Sequence, residues 1–112
     1  MNTRLIGQEG EDIACAYLKR LKYKVLARNF VAAGAEIDII ATHKKELVFI
    51  EVKRRNTPLF GTPAEAVTPQ KQRRIARAAE VYLKMHGKRE APFRYDIVEV
   101  TPEGCNVIER AW

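Results

Sequence analysis

With 112 residues and 46% hydrophobic content, the chain is long enough to bury one core and too short to split, so a single domain over residues 1–112 is expected. Cys15 and Cys105 stand far apart with no cysteine or histidine at metal-ligand spacing, which argues against a zinc site or disulfide framework; no signal-like or bilayer-length apolar run occurs, so a soluble cytosolic protein with no membrane partner is expected. The formal charge of +6 is concentrated: residues 44–77 hold nine Lys or Arg against three Glu, while the rest carries eleven of each sign. Such an excess suits a polyanion such as nucleic acid, although basic surfaces also serve solubility alone.

From about Gly7 to Leu21 the apolar residues Ile13, Ala14, Tyr17, Leu18 and Leu21 recur at helical spacing, with Lys19, Arg20 and Lys22 at the C-terminal end. Glu11 lies about 20° from Leu18 on the helical wheel, which puts it at the border of the buried face, while Asp12 and Lys19 point outward. A first-turn acid favoured by the helix dipole explains Glu11 equally well. Tyr23–Phe30 reads as a strand and Val31–Ala35, with Gly34, as a loop into a second strand, Glu36–Thr42.

Glu46–Arg54 pairs back on that strand. It carries Glu51 and Lys53 on one face and Val48, Ile50 and Val52 on the other. Asp38 in EIDII joins the charged face in a hairpin with a two- or four-residue loop centred on Lys44 and Lys45, which opposes His43 to Glu46, Asp38 to Glu51 and Glu36 to Lys53. A three- or five-residue loop would instead put Asp38 among the valines. Lys44 and Lys45 are poor residues for a primed turn, which favours the four-residue loop.

NTPLFGTP is then a proline- and glycine-punctuated loop, either a ligand-contacting element or a passive linker. Thr68 followed by Pro69 marks a helix start, and the helix is expected to run to about His86 and stop at Gly87. Its apolar stripe is Ile75, Ala76, Ala79, Tyr82 and Leu83; the Gln72 amide projects on the core side. Arg73, Arg74 and Arg77 form a more exposed stripe, a solvated face or a set of phosphate contacts with equal warrant. Two short strands, Phe93–Val100 and Cys105–Arg110, close the chain around a turn at residues 101–104. The fold class expected is α/β with a mixed sheet of about five strands flanked by helices, in the order αβββαββ.

Charges at the apolar centres of two strands are expensive to bury without compensation. Two carboxylates opposed across a hairpin become reasonable when a divalent cation lies between them and phosphate oxygens complete its shell, magnesium being the natural candidate and manganese the substitute. Lys53 on the same face would stabilise developing charge on a phosphodiester, or orient or deprotonate an attacking water. The bland alternative is a structural salt bridge between Lys53 and either acid.

The segments G-x-E-I-D-I-I, V-F-I-E-V-K-R-R, F-G-T-P and T-P-x-K-Q-x-R-I together resemble the YraN-like bacterial family, an uncharacterised group related to archaeal Holliday junction resolvases. The resemblance covers nearly the whole chain and implies a restriction-endonuclease-like fold of the PD-(D/E)xK nuclease superfamily. It would make Asp38 and Glu51 metal ligands and Lys53 the catalytic lysine. GEDIA resembles the segment where resolvase-like members carry a further acid, which implies Glu11, and Gln72 lies where many members place a polar helix residue. Ile37 stands in place of the motif's proline, and Ala35 replaces the second glycine of the usual G-G-E-I-D; neither change removes a ligand. The resulting expectation is a metal-dependent endonuclease acting on structured or branched DNA, with DNA favoured over RNA. Lys71, Arg73, Arg74, Arg77, Arg54 and Arg55 would track phosphate, and a homodimer would cut a symmetric junction. The alternatives are a non-catalytic nucleic-acid-binding module of the same fold and a protein-interaction scaffold.

Overall fold

The computed structural model describes residues 3–55 and 64–112. Its elements run α1 (Thr3–Arg20), β1 (Lys24–Ala32), β2 (Ala35–His43), β3 (Glu46–Arg54), a 3-10 turn (Ala64–Ala66), α2 (Pro69–Met85), β4 (Phe93–Thr101) and β5 (Gly104–Ile108). The mixed α/β class and the order αβββαββ are those expected. NTPLFGTP, residues 56–63, lies outside the described residues.

The five strands form one sheet in sequence order. All neighbours are antiparallel except β3 and β4, whose parallel pairing requires the crossover that α2 supplies. The two helices cover opposite faces. On one, Ala14, Cys15 and Leu18 of α1 pack on Ile39, Ala41, Val48, Ile50 and Val98. On the other, Ile75, Ala79, Tyr82 and Leu83 of α2 pack on Ile40, Leu47, Phe49 and Ile97. Alternation along β3 thus sorts Leu47 and Phe49 to the α2 side and Val48 and Ile50 to the α1 side, which is why Glu51 and Lys53 emerge beneath α2.

Helix α2 starts as its residues dictate. Thr68 accepts a hydrogen bond from the Lys71 backbone N–H at 3.2 Å, and Pro69 needs no partner for the amide it lacks. Gly87, at φ 62°, ends it, and the Lys88 N–H returns to the Leu83 carbonyl at 2.8 Å. Helix α1 departs from expectation at both ends of its stripe. It begins at Thr3 rather than Gly7, and Ile13 and Leu21 are 40% and 39% exposed. The small residues Ala14 and Cys15 let the helix approach the sheet closely, and a contact centred on them turns Ile13 and Leu21 to the rim.

The first two hairpins are tighter than expected. The loop read at Val31–Ala35 is a two-residue turn, Ala33 and Gly34, with φ of 52° and 75°. The hairpin joining β2 to β3 also turns in two residues rather than four, with Lys44 and Lys45 at φ of 51° and 66°. Positive φ at both positions is the turn whose twist matches the flanking strands, and the ladder beyond it outweighs the local strain in the two lysines. The register is the one that centring on Lys44 and Lys45 predicts: His43 faces Glu46 and Ile39 faces Ile50.

Candidate functional site

The β2–β3 ladder stops at Ile39 and Ile50, one residue short of an Asp38–Glu51 pair. Beyond that point the Asp38 carboxylate itself accepts the Val52 N–H at 2.8 Å. Strict alternation fails at the same place: Ile37 and Ile40 both belong to the core beneath α2, whereas Ile39 belongs to the core beneath α1. The partner strand carries the matching irregularity. Asn29, between the pairs Arg28–Ile39 and Phe30–Ile37, has φ 53° and so breaks the alternation of β1 opposite Asp38. The expected opposition of Asp38 to Glu51, and of Glu36 to Lys53, is therefore not a strand pairing; the chain bends at Asp38 and holds its carboxylate over β3.

Asp38 and Glu51 nevertheless share one pocket of about 510 Å³, together with Glu36 on the acidic side and Thr68, Lys71 and Arg74 on the side of α2. Glu51 is only 7% exposed. Burial, then the charge of Glu51, raise the Asp38 pKa to about 7, against the opposing effect of the Val52 hydrogen bond. Two lysines converge on one oxygen of Glu51: Lys71 Nζ lies at 2.7 Å and Lys53 Nζ at 3.7 Å. Burial, then the adjacent Lys71 ammonium, push Lys53 below the ordinary lysine value despite Glu51 and Asp38. Burial opposes the charge on Lys71 too, but its hydrogen bond to Glu51 prevails and holds its pKa above the ordinary value.

Glu11 approaches from α1. Its Oε1 is buried with no hydrogen-bond partner among the described residues, and Arg28 stands off at 3.8 Å while pairing with Asp12 at 2.8 Å. Burial raises the Glu11 pKa against the pull of Arg28, and the Glu11 charge in turn contributes to the upward shift of Asp38. Gln72 is turned elsewhere: its amide donates to the Val67 carbonyl at 3.1 Å and braces the entry to α2. The α2 side chain that reaches the acids is Lys71, which sequence reasoning placed among the phosphate contacts. Its position in the helix's first turn was legible, but its reach to Glu51 depends on how α2 docks.

Among the basic residues, Arg73, Arg74 and Arg77 are exposed and make no ion pair among the described residues, whereas Arg54 lies 3.7 Å from Glu9 and Arg55 lies 3.3 Å from Glu99. No group of three or more Asp, Glu, His or Cys side chains is assembled as a metal cage among the described residues. Two carboxylates are the donor set at hand. That set suits magnesium, which keeps several waters and is commonly held by one or two carboxylates with substrate phosphates supplying the rest.

A second charged cluster went unread in the sequence, on the opposite face of the sheet, with Arg94 and Asp96 beside Val48 and Ile50 of β3. Arg94, 4% exposed, and Asp96, 0% exposed, are joined at 3.0 Å. Around them gather Tyr23, His43, Glu46 and Arg110. The signal was R-x-D in the apolar strand FRYDIVEV, the same pattern as E-x-K in FIEVK.

A model of the uncharacterised protein family UPF0102 matches residues 10–100, a span that contains both clusters apart from Arg110. The chain belongs to that family. It is 45% identical over 100 residues to a UPF0102 protein of Geobacter sulfurreducens, covering 89% of this chain and 78% of the relative. To a UPF0102 protein of Symbiobacterium thermophilum it is 44% identical over 115 residues, covering 98% of each. A UPF0102 protein of Geobacter metallireducens is 41% identical over 104 residues, covering 93% of this chain and 85% of the relative. These names state a family and no activity, so function has to come from the chemistry of the site. No helix among the described residues is long and apolar enough to cross a membrane.

Proposed function

We propose that the chain is a magnesium-dependent nuclease of the restriction-endonuclease-like kind, acting on structured or branched DNA. One observation carries the reading: Asp38 and Glu51 are held together in one pocket, where burial first and the charge of Glu51 second lift Asp38 to about 7, a cost that a structural pair would have no reason to retain. A divalent cation between them offsets that repulsion. Asp38 and Glu51 would hold it, and when bound it supplies Lewis acidity to a phosphodiester oxygen. Manganese would substitute.

The chain's own groups perform the rest. Lys53, depressed by burial and by Lys71, is suited to orient an attacking water, to take its proton, or to stabilise charge on the phosphoryl oxygens. Glu11 adds a further acid beside Asp38. Arg73, Arg74 and Arg77, on the exposed side of α2, contact backbone phosphates, with Arg74 at the pocket mouth. Cutting both strands of a symmetric junction calls for two such sites and hence a homodimer.

A non-catalytic nucleic-acid-binding module is favoured by a different observation, the ammonium of Lys71 already seated on Glu51. Metal dependence separates the two. Junction, flap and single-stranded DNA incubated with the protein and magnesium should be cut, and Asp38→Ala or Lys53→Ala should abolish cutting while salt-sensitive binding survives. If the wild type cuts none of these with magnesium or manganese, the nuclease reading fails.

A further inference from the structure

Two ammonium groups around one carboxylate oxygen are more than neutrality at Glu51 requires. Lys53 rises from β3, with a side chain 25% exposed, and stands off at 3.7 Å; Lys71 reaches down from α2, with a side chain 38% exposed, and makes the direct 2.7 Å hydrogen bond. The backbone of Lys71 is pinned, because its N–H is the one that Thr68 caps. Its four-carbon stem is not, and it borders the open pocket on the same wall as Arg74. An oxygen that bonds magnesium does so at about 2.0–2.1 Å, and a divalent ion at that distance repels an ammonium held on the same oxygen. Lys71 and the metal therefore compete for Glu51.

Resting on the assignment of Asp38 and Glu51 as metal ligands, we propose that Lys71 is a displaceable gate: it occupies Glu51 in the metal-free protein and moves to a phosphate of the nucleic acid when the metal enters. A phosphate beside Arg74 offers the departing ammonium a new anion on the same side of the pocket. Nucleic acid and metal are then coupled. The nucleic acid draws Lys71 away from the metal's ligand and the metal frees Lys71 to meet a phosphate, so each binds more tightly in the presence of the other, by the same factor in both directions. The arrangement keeps the metal site closed until a backbone phosphate arrives, a property that neither the acids nor Lys53 provide.

Manganese binding to the full chain, read by titration calorimetry or by the electron paramagnetic resonance of the free ion, tests this without reference to cleavage. Lys71→Met should bind manganese about tenfold more tightly than wild type in the absence of DNA, a change of about 1.4 kcal/mol. Lys71→Arg, which keeps the cation, should not bind more tightly than wild type. A short DNA hairpin, with cleavage blocked by phosphorothioate linkages, should tighten manganese binding to wild type severalfold more than to Lys71→Met, whose gain is limited to what phosphate oxygens add to the metal's shell; an equal gain in both would overturn the gate. Thermal melting of each variant confirms that it is folded. If Lys71→Met binds manganese no better than wild type while Glu51→Gln loses it, the gate is overturned and the metal site stands. If no variant and no wild type binds manganese, with or without the hairpin, both fall.

Discussion

Strands β3 and β4 lie side by side, and each carries two charges separated by one residue in an apolar run: Glu51 and Lys53 in the first, Arg94 and Asp96 in the second. They meet opposite fates. Asp96, with no exposure, accepts from the Tyr23 hydroxyl at 2.8 Å, the Arg94 Nε at 3.0 Å and the Arg110 backbone N–H at 3.0 Å. Arg94 in turn donates to Glu46 at 3.0 Å and to the Nδ1 of His43 at 2.6 Å, and the His43 ring stacks on Tyr23 at 3.8 Å. The Arg110 guanidinium donates to Glu46 at 2.7 Å, so two cations meet two anions and the cluster is closed. At the other site Asp38 has one backbone N–H, Glu11 Oε1 has no hydrogen bond, and a pocket gives access. A buried ion pair is thus no sign of a site by itself; what distinguishes the two regions is whether every charge is already satisfied.

That contrast is broken or sharpened first by Arg94→Met. Removing the guanidinium strands Asp96 in the core, so urea denaturation should show a loss of about 3–5 kcal/mol, and a loss below about 1 kcal/mol would mean that the network is not the structural element described.

Asp38→Asn should go the other way. The Asp38 pKa is raised in the fold from an ordinary value near 3.8 to about 7, so its contribution to stability is present in acid and is lost as pH rises to about 7. The asparagine variant still accepts the Val52 N–H but carries no charge. Without metal it should be more stable than wild type by about 1–3 kcal/mol at pH 8, and the two should converge toward pH 4. A destabilised Asp38→Asn at pH 8 would place Asp38 with the closed cluster instead.

The smallest effect belongs to His43. Burial and then the neighbouring Arg94 lower its pKa, so its contribution to stability is present above the ordinary imidazole value and is lost as pH falls below it. Accepting the Arg94 hydrogen bond at Nδ1 already requires the neutral ring. Because Asp38 is common to both proteins, the readout is the difference between them: from pH 7 to pH 5 the melting temperature of His43→Gln should gain on that of the wild type. The two regions therefore titrate with opposite signs, the closed one weakening in acid and the open one relaxing.

Much of the site was legible because its rules are local. Period-two alternation puts Glu51 and Lys53 on one face of β3 without reference to any other element, and centring the hairpin on Lys44 and Lys45 yields the observed register. Thr68 and Pro69 announce α2 for the same reason: capping involves neighbours in sequence. The irregularity at Asp38 was not legible, since it arises jointly from Asn29 on β1 and from the Asp38 carboxylate displacing the ladder on β3. Nor was the division of labour on α2, where Gln72 was expected near the acids and Lys71 reaches them.

The sequence by itself determined the order of the elements and the face on which Glu51 and Lys53 stand, because backbone periodicity acts over a few residues, and it left the register of β2 on β3 between alternatives that the two-residue turn at Lys44 and Lys45 decides. Only the tertiary structure decided which charges are neutralised. Tyr23 meets Asp96 across 73 residues and Lys71 meets Glu51 across 20, so the partners of each buried charge depend on how helices and strands dock. Neutralisation of a buried charge is a property of its surroundings rather than of its neighbours in sequence, and it separates a closed structural cluster from a site open to metal and phosphate.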